Sequence, residues 1–381
     1  MNLRTMALSC LFVSPVFAAP HFVEEAPSTR SHYQVDGKAL CETAKQTLAY
    51  LNHDPGYDPQ VLHEGQVLPI PMWRIKATLV FICKHQAELN DPEFVNKQFE
   101  FVRWLPDVKH ARRYRSKAKL RGIPDNQIVM TEYYVHLAKA SAKPTPLTPY
   151  AIHGLPADEQ YLTLEEANAK PKLTRFQYGK QAILAGALKD KKVPVLAYVS
   201  RADLEAALLQ GTLVADFGNG KPRYFNVHRN NNIPYNTVKK PEDQERYWYF
   251  KEVDGVKGYG KDADHKITVN YEVTFAADLA QFGLGKLLLI QYRDKRGKDI
   301  TRMGIMADTG GAFADNLYQI DFLTGAYTGK DTFYQANHTL PDYVNAYFMV
   351  LKSKEKTEKK TLANLFKRDS DHHFNNDTMF E

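Results

Sequence analysis

The sequence predicts a mainly β fold that follows a helical N-terminal region. From about residue 125 onward, short segments rich in Val, Ile, Tyr and Phe alternate with Gly, Asn and Pro turns, a pattern typical of a β-barrel. Before that point, apolar residues recur at the spacing of amphipathic helices. With 381 residues, the chain is long enough for two domains or for one large domain with an insertion.

The helical signal of the N-terminal region falls in three segments, 37–53, 72–90 and 92–105. Asp91 followed by Pro92 marks the start of the third segment, because proline has no backbone N–H to lose at the first helical position. We expect these helices to pack as a layer on another part of the protein.

The β segments cover most of the remaining chain. A strand is predicted at 127–138, and the Pro-rich residues 139–156 are typical of an extended crossing. Residues 156–190 are predicted to be helical or mixed, and Ser200 is the predicted N-cap of a short helix at 201–210. Further strands are predicted at 193–200, 212–217, 222–227, 246–250, 267–275, 285–292, 301–308, 318–325 and 344–352.

The first residues have the pattern of a secretory signal peptide. Arg4 gives a short positive region, residues 6–17 are apolar, and small residues up to Ala18 form a cleavage site. The segment is too short to span a membrane. Lipidation at Cys10 is disfavoured, because few apolar residues precede it and Ala7 lies where such a site prefers Leu. The protein is therefore predicted to be periplasmic or secreted, without a lipid anchor, and association with the outer membrane stays open.

Composition and motifs disfavour several classes of site. The net charge is +6 and a basic run lies at 109–121, but no nucleic-acid-binding module accompanies it, so no nucleic-acid partner is predicted. Cys41 and Cys83 remain after cleavage and most simply form one disulfide, with two buried thiols as the alternative. No HExxH, Walker loop or GxGxxG occurs, and His372 and His373 lack metal spacing. Neither a cofactor nor a metal is predicted.

An acidic stretch near the C-terminus, MADTGGAFADNLYQIDF, holds three aspartates around a Gly-Gly pair. Asp308-Thr-Gly is the signature of an aspartic protease, but such an enzyme needs two of these loops and the chain has one. The structural alternative is that Asp308 caps a turn in which Gly310 and Gly311 take a positive φ. Asp321 fits that alternative less well, since its strand is otherwise apolar. If it is poorly solvated, its pKa rises and it can act as a general acid.

An ordered set of motifs resembles the membrane-bound lytic transglycosylase A family and its three-aspartate C-terminal domain. MADTGGA at 306–312 and QIDFLTG at 319–325 are similar to the family's A-x-D-x-G-G-A and x-x-D-x-x-x-G. AADLAQFGLG at 276–285 is similar to its A-x-D-x-x-x-x-P-x-G. Weaker matches, in the family's order, are EYYVHLA at 132–138, QGTLVADFGNGKPRYFNVHRNNNIPY at 210–235 and YWYFK at 247–251.

The resemblance implies a double-psi β-barrel that carries an inserted second β-barrel-like domain, with a groove between them for a glycan strand. After the signal peptide predicted at 1–18, it implies an N-terminal helical region with the first barrel strands at 19–135 and the inserted domain at 136–245. The double-psi β-barrel three-aspartate domain would occupy 246–351. The polar, charged residues 352–381 are predicted to be a disordered tail.

The implied reaction is the non-hydrolytic cleavage of peptidoglycan between N-acetylmuramic acid and N-acetylglucosamine. One aspartic acid protonates the glycosidic oxygen, and the resulting carboxylate accepts the proton of the muramoyl C6 hydroxyl as that hydroxyl attacks C1. One acid/base suffices because the nucleophile belongs to the same sugar. A hydrolase normally needs a second carboxylate. Peptidoglycan strands are thus the implied partner, whereas an envelope-protein partner and the oligomeric state stay open.

By motif position, the resemblance assigns the acid/base role to Asp321 and supporting roles to Asp308 and Asp278. The residues that it places against the glycan are Tyr133, Tyr134, Gln210, Gly211, Gly310 and Gly311. The chain departs from the family's motifs around Glu132 and Thr212, which leaves the cleaved bond and the glycan subsites open. A non-catalytic glycan-binding protein of the same fold and a polysaccharide hydrolase with Asp308 as second carboxylate are the alternatives.

Overall fold

The computed structural model describes residues 21–114, 117–311 and 313–353. The predicted signal peptide at 1–18 and all of the predicted tail beyond Ser353 lie outside these described residues. Within them, no helix is both long enough and apolar enough to cross a membrane.

Strands dominate the described residues, and most helices are short. The helices are α1 (Gly37–Leu51), α2 (Met72–Lys84), α3 (Pro92–Gln98), α4 (Val108–Ala111), α5 (Ala118–Arg121), α6 (Leu164–Asn168), α7 (Lys180–Leu184), α8 (Arg201–Gln210), α9 (Leu279–Phe282) and α10 (Lys330–Asn337). The strands are β1 (His21–Glu24), β2 (His32–Tyr33), β3 (Phe99–Leu105), β4 (Ile128–Lys139), β5 (Tyr150–His153), β6 (Val195–Val199), β7 (Thr212–Asp216), β8 (Arg223–Asn230), β9 (Trp248–Val253), β10 (Thr274–Ala276), β11 (Leu287–Arg293), β12 (Asp299–Asp308), β13 (Gln319–Tyr327) and β14 (Tyr343–Leu351). The predicted mainly β fold is confirmed.

Six strands of the main sheet pair in a closed ring. Their order is β14, β11, β12, β10, β13 and β4, and β4 pairs with β14 to complete the circle. The β10–β12 and β13–β4 pairs are parallel, whereas the other four pairs are antiparallel. Closure leaves these strands without free edges, which removes the aggregation risk of an open sheet. The largest apolar core draws on the ring and on α1 and α2, and it includes Leu79, Phe282, Leu288, Ile305, Phe322 and Phe348.

A second apolar core lies where β4 runs beyond the ring. The C-terminal half of β4 pairs in parallel with β7, and β8 and β9 extend the sheet from there. A small β5–β6 sheet and α8 complete this part of the protein. The core comprises Ala138, Ile152, Ala197, Val199, Leu204, Ala207, Leu213, Ala215, Phe225, Val227 and Phe250. Because β4 belongs to both parts, the sheet is continuous from the ring into this second core.

The N-terminal helices are joined to each other covalently. Cys41 in α1 and Cys83 in α2 form a disulfide, with their Cα atoms 4.6 Å apart. Asp36 accepts a hydrogen bond from the backbone N–H of Ala39 (3.0 Å) and so caps the start of α1. The predicted caps at Asp91 and Ser200 are confirmed, since each side chain accepts a backbone N–H in the first turn of its helix.

Two local predictions are wrong. The segment 92–105 is helical only to Gln98, and Phe99–Leu105 forms β3 between β1 and β14. Phe99 and Phe101 are buried on either side of the exposed Glu100, and this period-two pattern suits a sheet. Of the strand predicted at 267–275, only the last two residues belong to a strand, and Thr268 forms an isolated bridge with Lys257. Glu272 takes a positive φ (59°), which interrupts an extended chain.

Candidate active site

The strand register brings Asp308 and Asp321 to one place in the ring. Asp308 is the last residue of β12, and Asp321 is the third residue of β13. The short strand β10 lies between them, and its Ala276 pairs with Asp308 on one side and with Asp321 on the other. On the far side of β13, Asp321 pairs with Thr131 of β4. Two aspartates that lie 13 positions apart in sequence thus flank a single alanine.

The two aspartates line a cavity of about 480 Å³. Four further residues that the motifs placed against a glycan line it as well: Tyr133, Gln210, Gly211 and Gly310. The wall is completed by Leu209, Thr212, Asn226, Lys257, Gly258, Tyr259, Gly260, Lys266, Ala276, Thr309 and Phe313. The cavity therefore receives side chains from the ring, from the second core and from the segment between β9 and β10.

Asp308 is held by two hydrogen bonds, one on each carboxylate oxygen. The phenol of Tyr133 donates to Oδ2 (2.7 Å), and the backbone N–H of Thr309 donates to Oδ1 (2.8 Å). Burial raises the pKa of Asp308 to about 6, although these two bonds and the nearby Lys266 favour the carboxylate. Asp308 is thus an oriented carboxylate whose oxygens are both engaged.

Asp321 is less constrained. Its neighbours Ile320 and Phe322 are buried in the core, so strand alternation turns Asp321 to the other face, where it is half-buried in the cavity. Gln319 Nε2 lies 3.4 Å from its Oδ1 but makes a shorter bond of 2.7 Å to Thr131 Oγ1. Burial raises the pKa of Asp321 to about 6, a value that suits a general acid.

A half-buried cation, Lys266, lies near Asp308, and sequence reasoning missed it. Lys266 Nζ donates to Asn226 Oδ1 (2.8 Å), and Asn226 Nδ2 donates in turn to Thr212 Oγ1 (2.6 Å). Burial lowers the pKa of Lys266, and the negative charge of Asp308 opposes that shift. Lys266 lies in a connecting segment without periodicity or a known motif, so only the fold brings it to the site.

Asp278 lies outside the cavity wall, where it fixes a loop. It caps α9 by accepting the backbone N–H of Gln281 (3.1 Å), and its other oxygen accepts the backbone N–H of Asn316 (3.2 Å). Burial raises the pKa of Asp278, while these backbone bonds oppose the rise. The carboxylate therefore ties α9 to the loop between β12 and β13.

Tyr134 and Gly311 do not line this cavity in the structure. Tyr134 lies on the opposite face of β4 from Tyr133 and stacks on Phe333, with ring centroids 4.8 Å apart. The left-handed backbone that the structural alternative assigns to Gly310 and Gly311 falls instead on Asp315, whose φ is 53°. Aspartate tolerates this region better than most residues, so the turn does not depend on either glycine.

No protein-family model and no curated protein matches the sequence. Among solved structures, E. coli MltA with bound chitohexaose is 16% identical, and the match covers 90% of this chain and 95% of that chain with a TM-score of 0.54. The membrane-bound lytic murein transglycosylase from Agrobacterium tumefaciens is 16% identical, with coverage of 90% and 99% and a TM-score of 0.56. MltA from Neisseria gonorrhoeae is 16% identical, with coverage of 84% and 89% and a TM-score of 0.55. The resemblance of the motifs is thus confirmed at the level of the fold, and the chain has the fold of the MltA lytic transglycosylases.

Proposed function

We propose that this protein is a peptidoglycan lytic transglycosylase that cleaves the β-1,4 bond between N-acetylmuramic acid and N-acetylglucosamine. The observation that carries the proposal is the pairing of Asp308 and Asp321 with Ala276, which places both carboxyl groups in one cavity. Burial raises the pKa of each to about 6, so one of them can hold a proton near neutral pH. The likeness to a structure with bound chitohexaose supports a glycan as the ligand.

Asp321 takes the acid/base role in this proposal. Its carboxyl proton passes to the glycosidic oxygen as the C1–O bond breaks, and the N-acetylglucosamine portion leaves as an alcohol. The C6 hydroxyl of the same N-acetylmuramic acid then attacks C1 and gives its proton to the Asp321 carboxylate. The carboxyl group is thereby restored, and the products are a free 4-hydroxyl and a 1,6-anhydro ring.

Asp308 takes a supporting role because both of its oxygens already accept hydrogen bonds, from Tyr133 and from Thr309. A carboxylate held in this way is poorly placed to move a proton to a ligand. It is well placed to stabilise the positive charge that develops at C1. Asp278 acts through the loop that it holds, and Tyr133, Gln210, Gly211 and Gly310 contact the glycan.

The finer description of the fold belongs to the same proposal. The six-stranded ring is assigned as a double-psi barrel, with the domain at 246–351 and its first strands within 19–135. The inserted domain at 136–245 corresponds to most of the second apolar core. The protein is exported by the signal peptide at 1–18 and acts in the periplasm or outside the cell.

The test is digestion of purified peptidoglycan, with the soluble products identified by mass spectrometry. We expect 1,6-anhydro-muropeptides from the wild-type protein and none from Asp321→Asn. Asp315→Asn is the matched control. Asp315 is an exposed aspartate in the loop that precedes β13, and asparagine also tolerates a positive φ. Reducing-end products would identify a hydrolase, and binding without release of any product would identify a glycan-binding protein.

A further inference from the structure

A second cavity, of about 690 Å³, lies apart from the Asp308–Asp321 cavity and shares none of its lining residues. Its wall is formed by residues of β6, β8 and β9 and by connecting segments, chiefly one around residue 160 and one around residue 262. Neither the motifs nor the proposed reaction assigns a role to it. The lining residues that carry metal-ligand chemistry are Glu165, His228, Glu252, Asp262, Asp264 and His265.

Three of these residues converge. The ligand atoms of His228, Asp262 and Asp264 all lie within 4.8 Å of one another. Two ligands that each lie about 2.2 Å from one ion are at most about 4.4 Å apart. If the three side chains moved slightly closer together, they could therefore all bind a single ion. Water would fill the remaining coordination positions of that ion.

His228 is a buried polar side chain that lacks a hydrogen bond at one ring nitrogen. It is only 7% exposed, and its Nδ1 atom has no hydrogen-bond partner among the residues that the structure describes. A buried ring nitrogen without a partner costs free energy, because water no longer solvates it. The imidazole of His228 belongs to a cluster with two carboxylates, and a bond from Nδ1 to a cation would satisfy that nitrogen.

Asp262 is oriented in the way that metal-binding carboxylates usually are. His265 Nδ1 lies 2.7 Å from Asp262 Oδ1, and the backbone N–H of Asp264 donates to the same oxygen (3.0 Å). Hydrogen bonds of this kind hold a ligand carboxylate in place and contribute to metal affinity. Because both bonds use Oδ1, the other oxygen of Asp262 stays available to an ion.

The positive side chains around the cavity have partners of their own. Arg229 donates to Glu159 (3.3 Å) and to the carbonyl of Leu162 (2.7 Å), and Lys261 donates to the carbonyl of Tyr57 (2.5 Å). Lys251 forms an ion pair with Asp264. Lys251 is therefore the cation with which a bound metal would compete directly.

We propose that His228, Asp262 and Asp264 bind a divalent first-row transition-metal ion, with Zn²⁺ as the best fit. One imidazole nitrogen and two carboxylate oxygens suit Zn²⁺, whereas Ca²⁺ and Mg²⁺ prefer an all-oxygen set. The ion would join strand β8 of the second core to the segment between β9 and β10. That segment also carries Tyr259 and Lys266 of the other cavity.

The test is calorimetric titration of Zn²⁺ alone into the full-length protein, without an affinity tag, after treatment with a chelator. We expect one tight equivalent, weakened by at least about tenfold in Asp264→Asn, a change at an exposed position that leaves the fold intact. We expect Lys251→Met to bind Zn²⁺ more tightly than the wild type, because the competing ammonium group is gone.

Two control variants test whether Zn²⁺ binding is specific to this cluster. Asp254→Asn removes a carboxylate of the same segment that pairs with Lys257, and its affinity for Zn²⁺ should equal that of the wild type. A variant with His372→Ala and His373→Ala removes the histidine pair near the C-terminus and should also keep the tight equivalent. The proposal is overturned if no tight equivalent is seen, if Asp264→Asn binds as the wild type does, or if Ca²⁺ binds as tightly as Zn²⁺. None of these outcomes depends on activity toward peptidoglycan.

Discussion

Tyr133 of β4 donates a 2.7 Å hydrogen bond to Oδ2 of Asp308 at the end of β12. Two strands of the ring, β13 and β10, lie between the donor and the acceptor in the sheet order. The bond therefore joins two lining residues of the cavity that do not lie on paired strands, and it helps to orient the Asp308 carboxylate. It also favours the carboxylate form of Asp308, against the effect of burial.

Tyr133→Phe should lower the rate of peptidoglycan release by about tenfold or more, since a hydrogen bond to a charged group contributes about 1.5–3 kcal/mol. The pKa of Asp308 should rise, because the donor that favours its carboxylate is lost. The measurement is the initial rate of product release with saturating peptidoglycan. Tyr134→Phe is the matched control, since that ring lies on the opposite face of β4 and should keep its stacking on Phe333. Equal losses in both variants would contradict the assignment of Tyr133 to the site.

The pH dependence of the reaction should be bell-shaped and centred near pH 6. Asp321 must hold a proton to act as an acid, so activity falls as pH rises above its pKa of about 6. Asp308 must be ionised to support the reaction, so activity also falls as pH decreases through its pKa. Because the two carboxyl groups interact, the pKa values measured from the two limbs of the profile belong to the pair and not to either residue alone.

The Lys266→Met variant tests whether the acid limb of that pH profile comes from Asp308. The positive charge of Lys266 lowers the pKa of Asp308, so its removal should move the acid limb to higher pH. The alkaline limb should stay near its wild-type position, because Lys266 does not contribute to the shift at Asp321. A profile of initial rates between pH 4 and 9 gives both limbs, and an unchanged acid limb would exclude Lys266 from the electrostatics of the site.

Asp321→Asn should raise the free energy of unfolding above pH 6. The folded state raises the pKa of Asp321 from 3.8 to about 6, so between these two pH values the folded protein holds a proton that the unfolded chain has already released. Stability from this group is present below pH 3.8 and is lost as pH rises to about 6. The gain on replacement is on the order of 1–3 kcal/mol at pH 7. Urea denaturation at pH 4 and pH 7 tests it, because the difference in stability between the variant and the wild type should nearly vanish at pH 4.

Several residues of the candidate site could be located from the sequence because they lie in short motifs. Asp308 and Asp321 could be placed from MADTGGA and QIDFLTG, although only the register with Ala276 shows that they meet. Tyr133 and Tyr134 could not both line one cavity, since neighbouring residues of a strand face opposite sides. Strand alternation therefore predicts that only one of them lines the cavity, whereas the choice of Tyr133 depends on the tertiary structure.

The remaining features depend on contacts between distant parts of the chain. The ring closes through the β4–β14 pair, whose partners lie more than 200 residues apart, and no local pattern specifies that contact. Lys266 becomes a site residue only because β8 presents Asn226 to it. Strand β3 was predicted as a helix because its apolar residues follow a helical segment without a Gly or Pro between them.

Loss of the disulfide should destabilise the protein by about 2–4 kcal/mol, because the bond closes a long loop between Cys41 and Cys83. The Cys41→Ala/Cys83→Ala variant should unfold at a lower urea concentration than the wild type. Addition of a reductant should shift the wild type toward the variant and leave the variant unchanged. A wild type that is insensitive to reductant and a variant of equal stability would together contradict a structural role for the bond.

The Asp278→Ala and Asp278→Asn variants should differ in their free energy of unfolding and in their rate of product release. This difference distinguishes a structural carboxylate from a catalytic one. Asp278 accepts backbone N–H groups from Gln281 and Asn316, so alanine leaves both without an acceptor, at a cost of about 1–2 kcal/mol in the free energy of unfolding. Asparagine keeps one side-chain oxygen, is itself a good helix cap, and should retain most of the stability and most of the rate. Thermal unfolding and initial rates of product release give the two readouts. If Asp278→Asn removed activity as completely as Asp321→Asn while remaining folded, Asp278 would have a chemical role, and the acid/base assignment would have to include it.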